Sequence, residues 1–243
     1  DKMRISLNLI NPERKILWYD YHEDIRSTIM ARISEIDPLI AMEYHQRKEK
    51  LYNFSNLIGD TENVRGQGLR FSKAKIYFSS PDEKFIKTLI QGIMRDQIFE
   101  LVNPRDKKSL RLAIGGVKFE RGISYSDNVT IKTLSPIISI KLEGNRQKYL
   151  TPVREPDEWR ASIIYGIRNK FKTMYGREPE KLDLDLNQGD FRLKYVHIKG
   201  RGYMASEGTL RIKADPLTLQ FISDTGLGEK PRYGFGFMID QYV

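Results

Sequence analysis

The order of hydrophobic patterns along this chain occurs twice, and that repeat limits the folds the chain can adopt. Residues 3–9 alternate between apolar and polar side chains, as in a half-buried strand. Ile25, Ile29 and Ile33 then recur at helical spacing. Strand-like stretches rich in Tyr, Phe and Ile follow, and then a second helix and a last strand. The first half therefore predicts the order strand, helix, strand, strand, helix, strand.

Prolines and polar caps set the expected helix boundaries in this half. Pro38 restarts the chain into a short helical turn that ends near His45. Ser80 is the expected N-cap of the next helix, with Pro81 at its first position. A strand at 110–120 closes the pattern.

The second half repeats the same order. A helix begins after Pro156 and a shorter one at Pro216. Its predicted strands are 129–142, 182–186, 191–199, 209–213 and 235–239. The chain thus predicts an α+β fold of two tandem ferredoxin-like (RRM-like) domains, each an antiparallel sheet with helices on one face. We place the domains at 1–122 and 123–243, with a polar linker between them.

The charge balance favours an anionic partner. The 243 residues include 41 Lys and Arg against 32 Asp and Glu, a formal net charge of +9. Nucleic acid is the first candidate. No stretch approaches the roughly 20 apolar residues of a membrane-spanning helix, and the opening segment does not resemble a secretory leader, so we expect a cytoplasmic protein without membrane contact.

A glycine-rich loop at 226–236 holds four of the eighteen glycines together with two cations. Glycine permits positive φ and lets another group approach the backbone, so we expect the loop to receive a phosphate. The alternative is an ordinary glycine-rich turn that joins a helix to a strand. The residues we expect to contact RNA in this loop are Gly226, Gly228, Lys230, Arg232, Gly234 and Gly236.

The strands that precede this loop are rich in basic residues. These are Arg192, Lys194, His197, Lys199, Arg201, Arg211 and Lys213. Basic side chains bind phosphates, and the neighbouring aromatic residues can stack on unpaired bases. The alternative is the solvated face of a basic protein.

His45 and Lys50 are the candidate catalytic residues. Only three histidines occur in the chain, and His45 precedes Lys50 by five residues, so a proton-transfer group and a fixed positive charge can meet at one loop. This pairing suits cleavage of an RNA phosphodiester. The alternative is an exposed histidine and an ordinary surface lysine. With no cysteine and scattered histidines, we expect no metal site and no cofactor.

Taken together, these features resemble the repeat-processing CRISPR endoribonucleases, the sixth numbered Cas protein family of the RAMP superfamily. The similarity is carried mainly by Gly-Leu-Gly-Glu-Lys-x-x-x-Gly-Phe-Gly at 226–236. Segments 3–5, 37–52 and 133–137 add to it. The resemblance implies metal-independent cleavage of CRISPR repeat RNA in precursor transcripts, with a 2′,3′-cyclic phosphate, a 5′-hydroxyl and mature guide RNA as products.

The resemblance also assigns residue roles. The family's catalytic histidine and lysine fall on His45 and Lys50, but a position that is often tyrosine is Met30 here. Methionine cannot transfer a proton, so either the pair acts without that partner or a nearby residue replaces it. The candidates for the replacement are Tyr21, His22 and Tyr44.

Two functions remain open at this stage. His45 with Lys50 favours an endoribonuclease, whereas Met30 favours a RAMP subunit that binds RNA within a CRISPR effector complex without cutting it. Whether the chain forms a homodimer or delivers its product to an effector complex is also open.

Overall fold

The first half of the chain combines an antiparallel sheet with helices. The computed structural model describes residues 3–47, 51–123, 126, 128–186 and 190–241. The elements of this half are β1 (Arg4–Ile10), α1 (His22–Ile36), α2 (Pro38–Gln46), β2 (Asn53–Phe54), β3 (Ile58–Gly59), β4 (Glu62–Val64), β5 (Gly68–Arg70), β6 (Lys73–Ser79), α3 (Glu83–Arg95), β7 (Ile98–Asn103) and β8 (Lys108–Phe119).

The strand order of this sheet is β2-β6-β1-β8-β7, with every neighbouring pair antiparallel. β3 also pairs with β6, and β4 forms a separate hairpin with β5. The central strand β1 buries Ile5, Leu7 and Leu9 in the same core as Ile25 and Ile29 of α1. The alternation that predicted a strand at 3–9 therefore supplies the core of the first sheet.

The second half repeats this arrangement. Its elements are β9 (Asn128–Thr133), β10 (Ser139–Glu143), β11 (Arg146–Leu150), α4 (Pro156–Tyr175), β12 (Leu182–Asp185), β13 (Phe191–Ile198), β14 (Arg201–Ala214), α5 (Pro216–Thr225), the 3₁₀ turn Pro231–Tyr233 and β15 (Met238–Asp240). The order β12-β14-β9-β15 is again antiparallel throughout. Both halves follow the ferredoxin-like order, which confirms the predicted fold class.

Several details differ from the sequence-based prediction. α3 is capped by Asp82 rather than Ser80: Asp82 Oδ1 accepts from the N–H of Lys84 at 3.0 Å, whereas the Ser80 hydroxyl donates to the Leu51 carbonyl at 2.6 Å. The stretch 129–142 is broken near Pro136, which has no N–H to donate to a strand ladder. The strands β4, β7 and β11 were not predicted.

A buried arginine joins the two halves. Arg4 on β1 is 1% exposed. Its guanidinium donates to the Met238 carbonyl at 2.9 Å and to the Ser223 carbonyl at 2.7 Å, and lies 4.4 Å from the centroid of Phe237. Burial lowers the pKa of Arg4 to about 10, which still leaves it charged at neutral pH. Hydrogen bonds from a charged donor therefore hold the second half against the central strand of the first.

Within the part of the chain that the structure describes, no helix has the length and apolar character needed to cross a membrane.

Candidate active site and nucleic-acid interface

A cleft of about 320 Å³ lies where α1, α2 and the glycine-rich loop meet. Its walls come from both halves of the chain, because the loop belongs to the second half and the helices to the first. Among the residues that line it are Arg26, Met30, Tyr44, His45, Tyr52 and Arg232.

His45 lies exposed in the last turn of α2. The helix begins at Pro38, and the Asp37 carboxylate caps it by accepting from the N–H groups of Leu39 and Ile40, each at 3.1 Å. This cap fixes where the helix begins, and His45 lies two turns further on. Lys50, the second predicted catalytic residue, lies outside the described residues.

Arg26 and Met30 reach the cleft from α1. They are four residues apart and so share one face of the helix. Arg26 donates to Glu23 Oε1 at 3.2 Å. Burial by itself would lower the pKa of Arg26, but the hydrogen bond and charge of Glu23 raise it overall. A permanently charged guanidinium therefore lies in the cleft, one helical turn before Met30.

Two tyrosines line the floor of the cleft. Tyr44 donates to Asp82 Oδ2 at 2.8 Å, and burial together with the Asp82 charge raises its pKa. Burial also raises the pKa of Tyr52 to about 12, although the positive charge of Arg26 opposes the shift. Both hydroxyls are protonated at neutral pH. Of the three residues suggested to replace the family tyrosine, Tyr44 lines this cleft, and Tyr52 is a candidate that the sequence analysis missed.

His22, another of the residues suggested to replace the family tyrosine, is buried. Its ring stacks on Tyr21 and Phe235 at centroid distances of 4.5 and 4.8 Å, and Nε2 lies 2.7 Å from Asn56 Oδ1. Burial lowers the pKa of His22 to about 4. The imidazole is therefore neutral at physiological pH, and its ring packs between the two halves.

This burial predicts a loss of stability in acid. An unfolded histidine has a pKa of about 6.5, so as the pH falls from there toward 4 the unfolded chain takes up a proton that folded His22 does not. The pKa shift of His22 corresponds to a loss of roughly 3 kcal/mol in the free energy of unfolding. We expect His22→Phe to lose less stability than wild type between pH 7.5 and 4, measured by urea unfolding. Equal losses would show that His22 is not the group responsible.

The glycines of the glycine-rich loop pack closely against other residues of the chain. Gly234 has φ 78°, and a Cβ there would overlap the ring of Phe54 in the first half. Gly236 has φ 76°, and a Cβ there would overlap the Leu227 carbonyl. The sequence predicted that some group lies close to the backbone of this loop. At Gly234 and Gly236 that group belongs to the protein itself. Direct contact of RNA with Gly226, Gly228, Gly234 or Gly236 stays a prediction.

The loop brings cations to one aromatic ring. Its 3₁₀ turn packs against α1 and β2, and the ring of Tyr233 is buried there. The Arg232 guanidinium lies 4.8 Å from the ring centroid, Arg26 lies 5.4 Å and Lys199 Nζ lies 5.8 Å away. Glu23 Oε1 is 3.2 Å from Arg26 and 3.6 Å from Lys199. Lys230, half-buried with φ 61°, opens the turn. We call Arg26, Lys199, Arg232 and Tyr233 the Tyr233 cluster.

The other predicted RNA-binding residues occupy two different surfaces. Lys194 and His197 on β13 line a second cleft of about 610 Å³ between the halves, where Tyr195 contacts His197 edge-on at 4.9 Å. Arg211 and Lys213 lie on β14 directly opposite Asp185 and Asp183 of β12. Neighbouring carboxylates offset the positive charge at this end of the second sheet.

Two exposed arginines of the predicted set have partners of their own. Arg192 pairs with Glu207 at 2.7 Å, and Arg201 hydrogen-bonds Gln147 and lies 5.5 Å from the ring of Tyr203. The structure therefore brings Lys199 and Arg232 together with Arg26, and leaves the remaining basic residues distributed along the second half.

Arg26, Tyr52 and Tyr233 were not singled out from the sequence. Arg26 could have been found, because it precedes Met30 by one helical turn and must share its face. Tyr52 and Tyr233 showed no sequence pattern that marked them, except that they lie near His45 and Arg232 along the chain. Among the described residues, no three His, Asp or Glu side chains are grouped in a way that could hold a metal ion.

Two family models match consecutive parts of the chain. The model described as CRISPR-associated protein Cas6, N-terminal, matches residues 16–106. The model described as CRISPR associated protein Cas6, C-terminal, matches residues 120–239. Together the two matches take in most of the chain and both halves of the fold.

Individual proteins are similar over nearly the full length. CRISPR-associated endoribonuclease Cas6 1 of Methanocaldococcus jannaschii is 25% identical, over 99% of this chain and 93% of its own. An endoribonuclease-like protein of Pyrococcus horikoshii, named Cas6nc, is 22% identical over 97% and 98%. A solved structure described as a RAMP protein binding different RNA substrates superposes with a TM-score of 0.82 at 21% identity, over 97% and 98% of the two chains.

Proposed function

The chain belongs to the Cas6 family of CRISPR-associated proteins, and on this premise we propose that it cleaves the repeat RNA of CRISPR precursor transcripts. The observation that carries the proposal is the cleft that His45 shares with Arg26 and Arg232. Phosphodiester cleavage needs a proton-transfer group next to fixed positive charge, and this cleft supplies both. The Methanocaldococcus relative, named as an endoribonuclease, supports the same activity.

In the proposed reaction the substrate supplies its own nucleophile. The 2′-oxygen before the cleavage site attacks the adjacent phosphorus, and the bond from phosphorus to the 5′-oxygen breaks. The 2′-hydroxyl proton passes to a base, and an acid gives a proton to the leaving 5′-oxygen. The products are a 2′,3′-cyclic phosphate and a 5′-hydroxyl, and no metal ion takes part.

His45 is proposed as the acid or the base of this reaction. An imidazole can either accept or donate a proton near neutral pH, so it can perform either transfer. Lys50 keeps its sequence-based role as the cation that stabilises the phosphorane, which stays a prediction.

The RNA is proposed to approach the cleft along the basic residues of the second half. Lys199 joins the Tyr233 cluster directly, and Lys194 and His197 line the neighbouring cleft, where Tyr195 offers an exposed ring to stack on a base. The product would be guide RNA. Its transfer to an effector complex and the formation of a homodimer stay predictions.

The test is cleavage of CRISPR repeat RNA from the protein's own genome, with and without EDTA. We expect a single cut within the repeat at the same rate in both conditions. Loss of cleavage in EDTA, with recovery on addition of a divalent metal, would contradict the metal-independent mechanism.

A second function is favoured by one observation. Met30 lines the cleft, the sequence resemblance puts it where the family often has tyrosine, and methionine cannot donate a hydrogen bond. The alternative is therefore a RAMP-type subunit that binds repeat RNA in an effector complex without cutting it. Tight binding of repeat RNA with no cleavage in either condition would support this alternative over the first.

A further inference from the structure

We propose that Arg26 and Arg232 together bind the scissile phosphate, so that the catalytic site is completed across the interface between the two halves. The inference rests on the proposed function and extends it. Arg26 comes from α1 in the first half and Arg232 from the 3₁₀ turn in the second, yet both line the small cleft that contains His45. Neither half alone would contain the full set of groups.

The charge around this cleft suits an anion. Arg26, Lys199 and Arg232 approach one buried ring, that of Tyr233, and Glu23 pairs with two of the three. The group therefore carries more positive than negative charge within a few ångströms. Like charges held this close repel one another, and a bound phosphate would offset that repulsion.

Both guanidiniums are held in place by neighbouring side chains. Arg26 donates to Glu23 at 3.2 Å and lines the same cleft as Tyr52. Arg232 Nη2 donates to the Tyr233 hydroxyl at 3.2 Å, with the Tyr233 ring beneath it. Guanidinium presents paired N–H donors that match the oxygens of a phosphate. Donors fixed before the reaction are the kind that stabilise charge as it develops in a transition state.

The glycine-rich loop explains how Arg232 reaches the other half. The N–H of Gly234 donates to the Pro231 carbonyl at 2.9 Å and closes the 3₁₀ turn. Gly234 then packs against Phe54, with no room for a side chain. On this account the glycines act through packing, and they position the arginine that meets the phosphate.

The experiment compares cleavage with binding in Arg26→Ala and Arg232→Ala. Single-turnover cleavage of repeat RNA is measured with the protein in excess, and affinity is measured with the same RNA carrying 2′-deoxyribose at the cut. Arg177→Ala is the matched control, because Arg177 is an exposed arginine that pairs with Glu180 after α4. Unfolding temperatures of all variants establish that they fold.

We expect each cleft variant to cleave about 100-fold more slowly than wild type, with less than about a tenfold change in affinity for the uncleavable RNA. Arg26→Lys, which keeps the charge but loses the paired donors, should be intermediate. The control should match wild type.

The outcomes separate this inference from the proposed function. Cleavage by the arginine variants at the wild-type rate, while His45→Ala is inactive, would overturn the inference and leave the endoribonuclease proposal intact. Equal losses in rate and affinity would also overturn it, because the arginines would then be ordinary RNA contacts. Absence of cleavage by wild type would overturn both.

Discussion

His45→Ala is expected to slow single-turnover cleavage of repeat RNA by about 10²- to 10⁴-fold, the usual contribution of a general acid or base. His45 lies exposed in the last turn of α2, where Pro38 and the Asp37 cap fix the helix. Because the side chain is exposed, its removal leaves the core intact, and affinity for RNA should change little. The measurement is the cleavage rate at saturating protein, together with the affinity for uncleavable RNA.

A neighbouring residue on the same helix provides the control for His45→Ala. Gln46 is also exposed and ends α2, so Gln46→Ala reports any effect of disturbing the helix end. Gln46→Ala should cleave as wild type does. A His45→Ala protein that cleaved at the wild-type rate would remove His45 from the mechanism, whatever the control did.

Gly236→Ala is expected to lower the free energy of unfolding by about 3 kcal/mol, the sum of a left-handed backbone penalty and overpacking. Gly236 has φ 76°, and a Cβ there would overlap the Leu227 carbonyl inside the same loop. Relief of the overlap must move backbone, since no flexible side chain is involved. The measurement is chemical unfolding at neutral pH.

Gly144→Ala separates the two contributions in Gly236→Ala. Gly144, in the turn between β10 and β11, has φ 61°, but a Cβ there would meet no atom within 4 Å. Gly144→Ala should lower the free energy of unfolding only by the left-handed backbone penalty, about 1 kcal/mol. Equal losses at the two positions would contradict the claim that packing within the loop requires glycine at 236.

Much of the fold could be predicted from the sequence because periodicity records which faces are buried. The spacing of Ile25, Ile29 and Ile33 places α1, and the alternation at 3–9 places β1. β7 was missed, although Phe99 and Leu101 alternate with exposed residues. The prediction of one strand over 129–142 overlooked Pro136, whose missing N–H was a readable signal.

The site was harder to predict because it is assembled from distant segments. Arg26 and Arg232 share a cleft only after both halves have folded and packed, and no local pattern encodes that meeting. The glycine-rich loop showed a different limit. Its spacing correctly predicted that something approaches the backbone, but local sequence does not distinguish a bound phosphate from Phe54 or the loop's own Leu227 carbonyl.

The measurement that most directly tests the account replaces one 2′-hydroxyl in the RNA. Repeat RNA carrying a single 2′-deoxyribose immediately before the cut is compared with unmodified RNA, in EDTA, and the product ends are identified. The account predicts that the modified RNA binds but is not cut, and that the unmodified RNA gives a 2′,3′-cyclic phosphate and a 5′-hydroxyl. Cutting of the deoxy substrate at the same position would contradict it.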